Sequence, residues 1–294
     1  MLTAQANILT HVQVNHIDSF SRLVPALEPT MCSAKAHPQP EDKTWFLVSL
    51  RPAGKHAPLR KAVASFGGKL IAASPWRIVY RNDLYARTAL THALSASTLV
   101  FTSPEAVIAA HRLIPLQNAS RFDHKIWIGI GASTASILEQ KGIQQIEFPQ
   151  QMQSEALIAL KSYQRADDIG LITAKGGRDL IAKHALKTGK IVRRADVYER
   201  RPIPLRAGAR LALTQHAKHL CVAVSSRQAF SLLREQLPPM MDSELLNCPI
   251  ITTSHRLAQW LLASGFVRIE ITSSPQPEQI ASTAAQAMTQ KQFP

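Results

Sequence analysis

Residues 100–107 (VFTSPEAV) return as residues 222–229 (VAVSSRQA), an offset of 122 from Ser103 to Ser225. Residues 136–142 (SILEQKG), closed by Ile146-Glu147-Phe148, are answered by residues 260–265 (WLLASG), closed by Ile269-Glu270-Ile271. There the offset is 123, from Gly142 to Gly265, and Glu155 maps onto Glu278. Solenoid units recur every 20–50 residues or so. A period this long is therefore a whole small domain written twice. Two similar halves leave a cleft between them, and a cleft is where a ligand is sought.

The pattern within each copy sets the fold class. Short apolar runs at 45–50, 70–73, 98–101, 126–130, 145–148, 168–172, 190–198, 219–224, 248–252 and 267–271 read as strands. Between them lie helical stretches at 59–66, 104–114, 132–141, 154–162, 176–188, 207–217, 226–236, 254–264 and 277–289. Strands alternating with helices mean βαβ units and parallel sheets. Runs such as Leu220-Cys221-Val222-Ala223-Val224 fit strands buried on both faces. The unit 45–73 has no partner directly after it, so its complement is the C-terminal copy. The expected architecture is α/β, with two similar parallel-sheet domains and the first built from both chain ends. Domain 1 takes residues 44–77 and 203–294, and domain 2 takes residues 78–202. The chain then crosses twice, near 76–82 and 195–201, and these extended segments pair as a two-stranded linker. Residues 1–43 lack a clean period, and 34–43 (AKAHPQPEDK) is polar and proline-broken. They are expected to form a disordered or loosely held arm, with Met31 an alternative start.

Bulk properties narrow the function classes. Among 294 residues, 46% are hydrophobic, enough for two cores, and no window approaches a membrane span of about 18 apolar residues. The N-terminus has no charged start, apolar run or small-residue cleavage site, so the chain reads as cytoplasmic. Cys32, Cys221 and Cys248 are unpatterned, and the latter two adjoin strands as small buried hydrophobes. There is no HExxH, no CxxC and no ligand-spaced histidine set, so no metal is expected. No GxSxG elbow or carboxylate pair stands out for nucleophilic or acid/base catalysis. A net charge of +14 calls for an anionic partner. Aromatics are only 6% and are not interleaved with the basic residues, which argues against platforms that stack single-stranded nucleic acid, and nucleic acid is not the expected partner.

In open parallel sheets ligands sit beyond the carboxyl ends of the strands. Hydroxylated turns fall there: Thr102-Ser103-Pro104, Gly131-Ala132-Ser133-Thr134, Ser154, Ser225-Ser226 and Thr253-Ser254. Each precedes a helix, so each also reads as an ordinary N-cap. Collectively they would aim helix N-termini from both domains at one anion. Ala174-Lys175-Gly176-Gly177-Arg178-Asp179 follows a strand and opens a helix, but has neither P-loop nor GxGxxG spacing. It is either an anion-contacting turn or a plain surface turn. The densest basic stretch, Lys183 to Arg210, surrounds the second crossing and contains Tyr198. That phenol either donates a proton to a leaving group or packs against the linker.

Taken in order, these pieces resemble the uroporphyrinogen-III synthase family. The resemblance runs from Trp45 to about Met288. It rests on Arg51-Pro52, residues 100–107, Gly131-Ala132-Ser133-Thr134-Ala135, Gln153-Ser154-Glu155-Ala156-Leu157, Gly176-Gly177-Arg178-Asp179, Val197-Tyr198-Glu199-Arg200 and Ser254-His255-Arg256-Leu257-Ala258. It implies cyclisation of hydroxymethylbilane, a linear tetrapyrrole with eight carboxylates, with loss of water and inversion of ring D through a spiro intermediate. It implies no cofactor. Tyr198 matches the family's linker tyrosine, the usual candidate for assisting hydroxyl departure, and Thr134 matches a cleft threonine. Arg51, Ser103, Ser154, Lys175, Arg178, Ser225 and Ser254 are the positions expected to hold substrate carboxylates. Thr252-Thr253-Ser254-His255 departs from a Gly-Pro-Thr-Thr-like turn, so no threonine role is carried over there. The expectation is a monomer without membrane contact, and a transient contact with the preceding pathway enzyme stays open. The competing reading is a non-catalytic member of the fold that binds an anionic ligand or nucleic acid.

Overall fold

The computed structural model describes residues 44–119, 125–150, 154–177 and 179–290. The expectations for residues 1–43 and for Arg178 lie outside them. Among the described residues the strands are β1 (Phe46–Ser49), β2 (Lys69–Ala72), β3 (Trp76–Tyr80), β4 (Thr98–Phe101), β5 (Ile126–Gly129), β6 (Ile146–Glu147), β7 (Asp168–Ala174), β8 (Ile191–Pro202), β9 (Leu220–Ala223), β10 (Ile250–Thr252) and β11 (Ile269–Ile271). The helices that precede β7 are α1 (Ala57–Ser65), α2 (Leu84–Leu94), α3 (Pro104–Leu113), α4 (Leu116–Ala119), α5 (Ala132–Gln140), α6 (Ser154–Ile158) and α7 (Lys161–Arg165). Those that follow it are α8 (Leu180–Lys187), α9 (Ala207–Gln215), α10 (Arg227–Arg234), α11 (Pro239–Leu246), α12 (His255–Ala263) and α13 (Pro277–Gln290).

Two sheets organise these elements. The first has the order β11-β10-β9-β1-β2, and every pairing in it is parallel. The second has the order β3-β8-β7-β4-β5-β6, parallel from β8 to β6. Replacing β9, β10, β11, β1 and β2 by β4, β5, β6, β7 and β8 turns one order into the other. The lobes are thus the same doubly wound sheet, and the chain ends fall inside the first copy. Hence the sequence repeat is strongest over the strands that run consecutively in both, 98–147 and 220–271. Apolar clusters cover both faces of each sheet. Leu59, Val63, Ile280 and Ala284 pack on one face of the first, with Leu213, Phe230, Leu245 and Leu261 on the other. The second carries Leu90, Val107 and Leu138 on one face and Leu157, Tyr163 and Ile181 on the other.

The expected linker exists and is part of the second sheet. β8 runs without interruption for 12 residues, pairing in parallel with β7 and then antiparallel with β3. The second sheet is therefore mixed, because one long strand serves both the lobe and the crossing.

Helices depart from expectation at five places, the short α4 being one of them. α2 has no counterpart among the expected helices, although Asp83 caps it through an acceptor bond from the Ala86 N–H at 2.9 Å. Its apolar spacing, Ala86, Leu90, Ala93 and Leu94, buries one face, and each buried Leu contributes roughly 1.5–3 kcal/mol. α11 is also unexpected behind its prolines, yet proline at a helix start needs no N–H partner. The expected helix 154–162 breaks in two, because Leu160 is extended between α6 and α7. α8 starts at Leu180 rather than 176, since Gly176 adopts a φ of 68° that a helix cannot use.

Candidate functional site

In a doubly wound sheet the ligand crevice opens where successive strands leave in opposite directions. In the second lobe that point lies between β4 and β7, whose ends run into Thr102-Ser103 and Lys175. In the first it lies between β1 and β9, whose ends run into Arg51 and Ser225. Four of the positions singled out from sequence thus sit at the two switch points. Thr134 and Ser254 follow the next strands out, β5 and β10. Ser154 follows β6, the far edge of its sheet, about 10 Å beyond β4 at the usual strand spacing.

Tyr198 and Ser103 come together although 95 residues apart in sequence, their oxygens 2.9 Å from one another. Ser103 is also the N-cap of α3, accepting from the Ala106 N–H at 3.1 Å, so its capping and functional readings coexist. Tyr198 is 2% exposed. It reaches α3 because β8 bulges: Thr173 pairs with Asp196 but Ala174 pairs with Tyr198, leaving Val197 extra. Adjacent residues Val197 and Tyr198 then both join the core cluster beneath α3, which an unbulged strand forbids. Arg200 Nη2 donates to the Tyr198 oxygen at 3.4 Å, and its guanidinium lies 5.4 Å from the Trp76 ring centre.

Lys175 lies elsewhere around the same strand end. Its backbone N–H binds the Tyr198 carbonyl at 2.8 Å. Its exposed ammonium, after the dominant Arg201, helps hold the Glu199 carboxyl below its ordinary value. Glu199 neighbours Tyr198 on β8 and so points to the other side of the ribbon. The structure therefore brings Ser103 to Tyr198 but not the Lys175 side chain. The turn itself is tight: a side chain at Gly177 would meet the Ala174 carbonyl at 3.1 Å and Thr173 Oγ1 at 3.2 Å.

On the first lobe Arg51 is half-buried, and burial pushes its guanidinium pKa down. No carboxylate pairs with it among the described residues, an arrangement that leaves a desolvated cation for an external anion. Ser225 is exposed, and the cap of α10 is Ser226, which accepts from the Ala229 N–H. Ser254 caps α12 by accepting from the Leu257 N–H. Thr134 is fully buried, and its hydroxyl has no partner among the described residues. Ser154 opens α6, a single short turn.

Sequence reasoning passed over His56. This residue is buried, with Nδ1 3.0 Å from Ser49 Oγ and Nε2 2.6 Å from Ser74 Oγ. It ties the end of β1 to the residues leading into β3, just behind the Arg51 turn. Burial, then the charges of Arg60, Arg51 and Arg206, pushes its imidazole below 6.5. The folded protein therefore binds this proton less readily than the unfolded chain does. The contribution of His56 to stability should be constant above pH 6.5 and shrink as pH drops below it. His56→Gln should flatten that slope in chemical denaturation, and an unchanged slope would assign it to other groups.

Among the described residues no cluster of histidine, cysteine and acidic side chains has metal-binding geometry, and no helix is long and apolar enough to cross a membrane. Comparison with known proteins agrees with this architecture. The family model described as uroporphyrinogen-III synthase HemD matches residues 57–282. A mutant uroporphyrinogen III synthase from the extremely thermophilic bacterium Thermus thermophilus superposes with a TM-score of 0.59 at 12% identity, covering 84% of this chain and 99% of its own. Uroporphyrinogen-III synthetase from Helicobacter pylori 26695 gives 0.54 at 17% identity, covering 82% and 99%. These structural likenesses carry the fold, whereas the family match spans more than three quarters of the sequence. This chain belongs to the uroporphyrinogen-III synthase family, enzymes of tetrapyrrole biosynthesis.

Proposed function

We propose that this protein is a cyclising hydro-lyase that converts hydroxymethylbilane to uroporphyrinogen III. The observation that carries the reading is the Ser103–Tyr198–Arg200 arrangement at the switch point of the second lobe. Tyr198 donates its proton to the departing hydroxyl of ring D, and water leaves. Ser103 holds the phenol in place, and Arg200 stabilises negative charge that builds on its oxygen as the proton moves. The resulting azafulvene cation is attacked within the same chain, so the remaining task is to fold and hold the tetrapyrrole. That is catalysis by positioning, and it needs several anchors for the eight carboxylates. Arg51, with no carboxylate paired to it among the described residues, and the exposed hydroxyl of Ser225 serve on the first lobe. Lys175 and the N-terminal turn of α3 serve on the second.

The test generates hydroxymethylbilane in place, oxidises the products and separates isomers I and III. Isomer III that depends on this protein supports the proposal. Isomer I alone, the spontaneous product, from well-folded protein would overturn it in favour of a binding protein of the same fold. Within that assay Lys175→Ala should raise the half-saturating concentration by about threefold to tenfold, the loss of one exposed charge-assisted contact. An unaltered value would remove Lys175 from the anchors.

A further inference from the structure

Glu105 stands in the first turn of α3, two residues beyond Ser103, and is held from two sides. The Tyr80 hydroxyl donates to its Oε2, and Lys55 Nζ lies 2.8 Å from its Oε1. Three separate parts of the molecule meet on this carboxylate. Lys55 belongs to the turn between β1 and α1 in the first lobe, Tyr80 to the linker ribbon, and Glu105 to the second lobe.

The two contacts differ in kind. Tyr80 is fixed: it pairs with Tyr198 across the ribbon, and Arg112 of α3 lies 4.4 Å over its ring. Burial, then the bond to Glu105, pushes its phenol up to about 12, so it remains a donor throughout the neutral range. Lys55 is loose. Its side chain is 42% exposed against 19% for Glu105, and an ion pair so open to water is weakly held and screened by salt. Glu105 is therefore seated by Tyr80, while Lys55 is free to exchange one carboxylate for another.

We propose that Lys55 is a substrate-binding residue of the first lobe and that Glu105 is its internal competitor, occupying the place a substrate carboxylate takes. The proposal rests on the reading above, that the ligand is a polycarboxylate. Exchange also sets specificity. A monocarboxylate replaces one weak pair by an equal one and gains nothing. A ligand already anchored at Arg51 or at the start of α3 presents its next carboxylate to Lys55 at high effective concentration, and displaces Glu105. The internal carboxylate thus selects for ligands with several carboxylates, and the cross-lobe contact opens as they bind.

The probe is a stable octacarboxylic porphyrin, titrated by fluorescence at low ionic strength against the full-length protein and three variants. Glu105→Gln keeps an acceptor for Tyr80 and removes the charge that holds Lys55. It should tighten binding by about two- to fivefold, the size expected of an exposed pair, and added salt should shrink the gain. Lys55→Gln should weaken binding. In the Lys55→Gln background, Glu105→Gln should have no further effect, because the two act through one contact. Unchanged or weaker binding in Glu105→Gln would overturn the proposal. So would an equal gain in the Lys55→Gln background, which would mark a general charge effect. The isomer assay separates the two readings: isomer III formed by the unaltered protein without tighter binding in Glu105→Gln sinks the exchange alone. Tighter binding that depends on Lys55, with no isomer III, sinks the synthase reading alone.

Discussion

Tyr198→Phe is expected to lower turnover about 100-fold, at the low end for loss of a positioned proton donor, with little change in the half-saturating concentration. The low end applies because the substrate's own pyrrole electrons drive the hydroxyl out, and the enzyme supplies only the proton. The variant loses two hydrogen bonds, one shared with Ser103 and one received from Arg200, at a cost of about 1 kcal/mol each. Ser103 still caps α3 through Ala106, so the fold should persist and the defect should appear in turnover rather than in folded yield. The measurement is the rate of isomer III formation at saturating substrate, beside a denaturation curve. Turnover within twofold of the unaltered protein would remove Tyr198 from the mechanism and leave it a core residue of the linker.

Gly170→Ala should be the most damaging small substitution for stability. Gly170 lies on β7, where the end of α2 rests on the sheet. A methyl group there would meet the Ala93 carbonyl oxygen at 2.1 Å and Leu99 Cδ2 at 2.8 Å. Backbone cannot step aside as a flexible side chain can, so the strain should reach about 3 kcal/mol, the upper part of the usual range for overpacking. For a chain of this size that lowers the melting temperature by about 6–12 °C. A melting temperature within two degrees of the parent would show that α2 shifts freely over β7. The effect should reach the site as well, since α2 follows directly on β3, the strand that carries Tyr80.

The alternation of strands and helices, the duplicated lobe and the turns at the strand ends were legible because each is a local pattern. Apolar runs such as Leu220-Cys221-Val222-Ala223 declare burial on both faces whatever they pair with. The repeat then showed that the 45–73 unit needed the C-terminal copy. Less local features were lost. α2 went unread although Asp83 and the spacing from Ala86 to Leu94 mark it, because half of its apolar stripe is alanine. The burial of Thr134, singled out as one of the hydroxylated turn residues, was likewise not legible: it is fully buried. Whether a hydroxyl after a strand meets solvent or core depends on how the helix behind it settles.

The sequence by itself determined the class of fold, the family and the pool of polar residues at the carboxyl ends of the strands. Only the tertiary structure decided which of them meet. Tyr198 reaches Ser103 through a single extra residue in β8, and that bulge turns its side chain from one face of the ribbon to the other. The same turn leaves Lys175 beside Glu199 instead. Glu105, an ordinary first-turn acid by sequence, became the meeting point of two lobes and the linker once β3 and β8 paired in register. The physical reason is one of range. Periodicity and capping are set within a few residues, whereas contacts across 50 to 100 residues depend on sheet order, register and bulges, which no short stretch of sequence encodes.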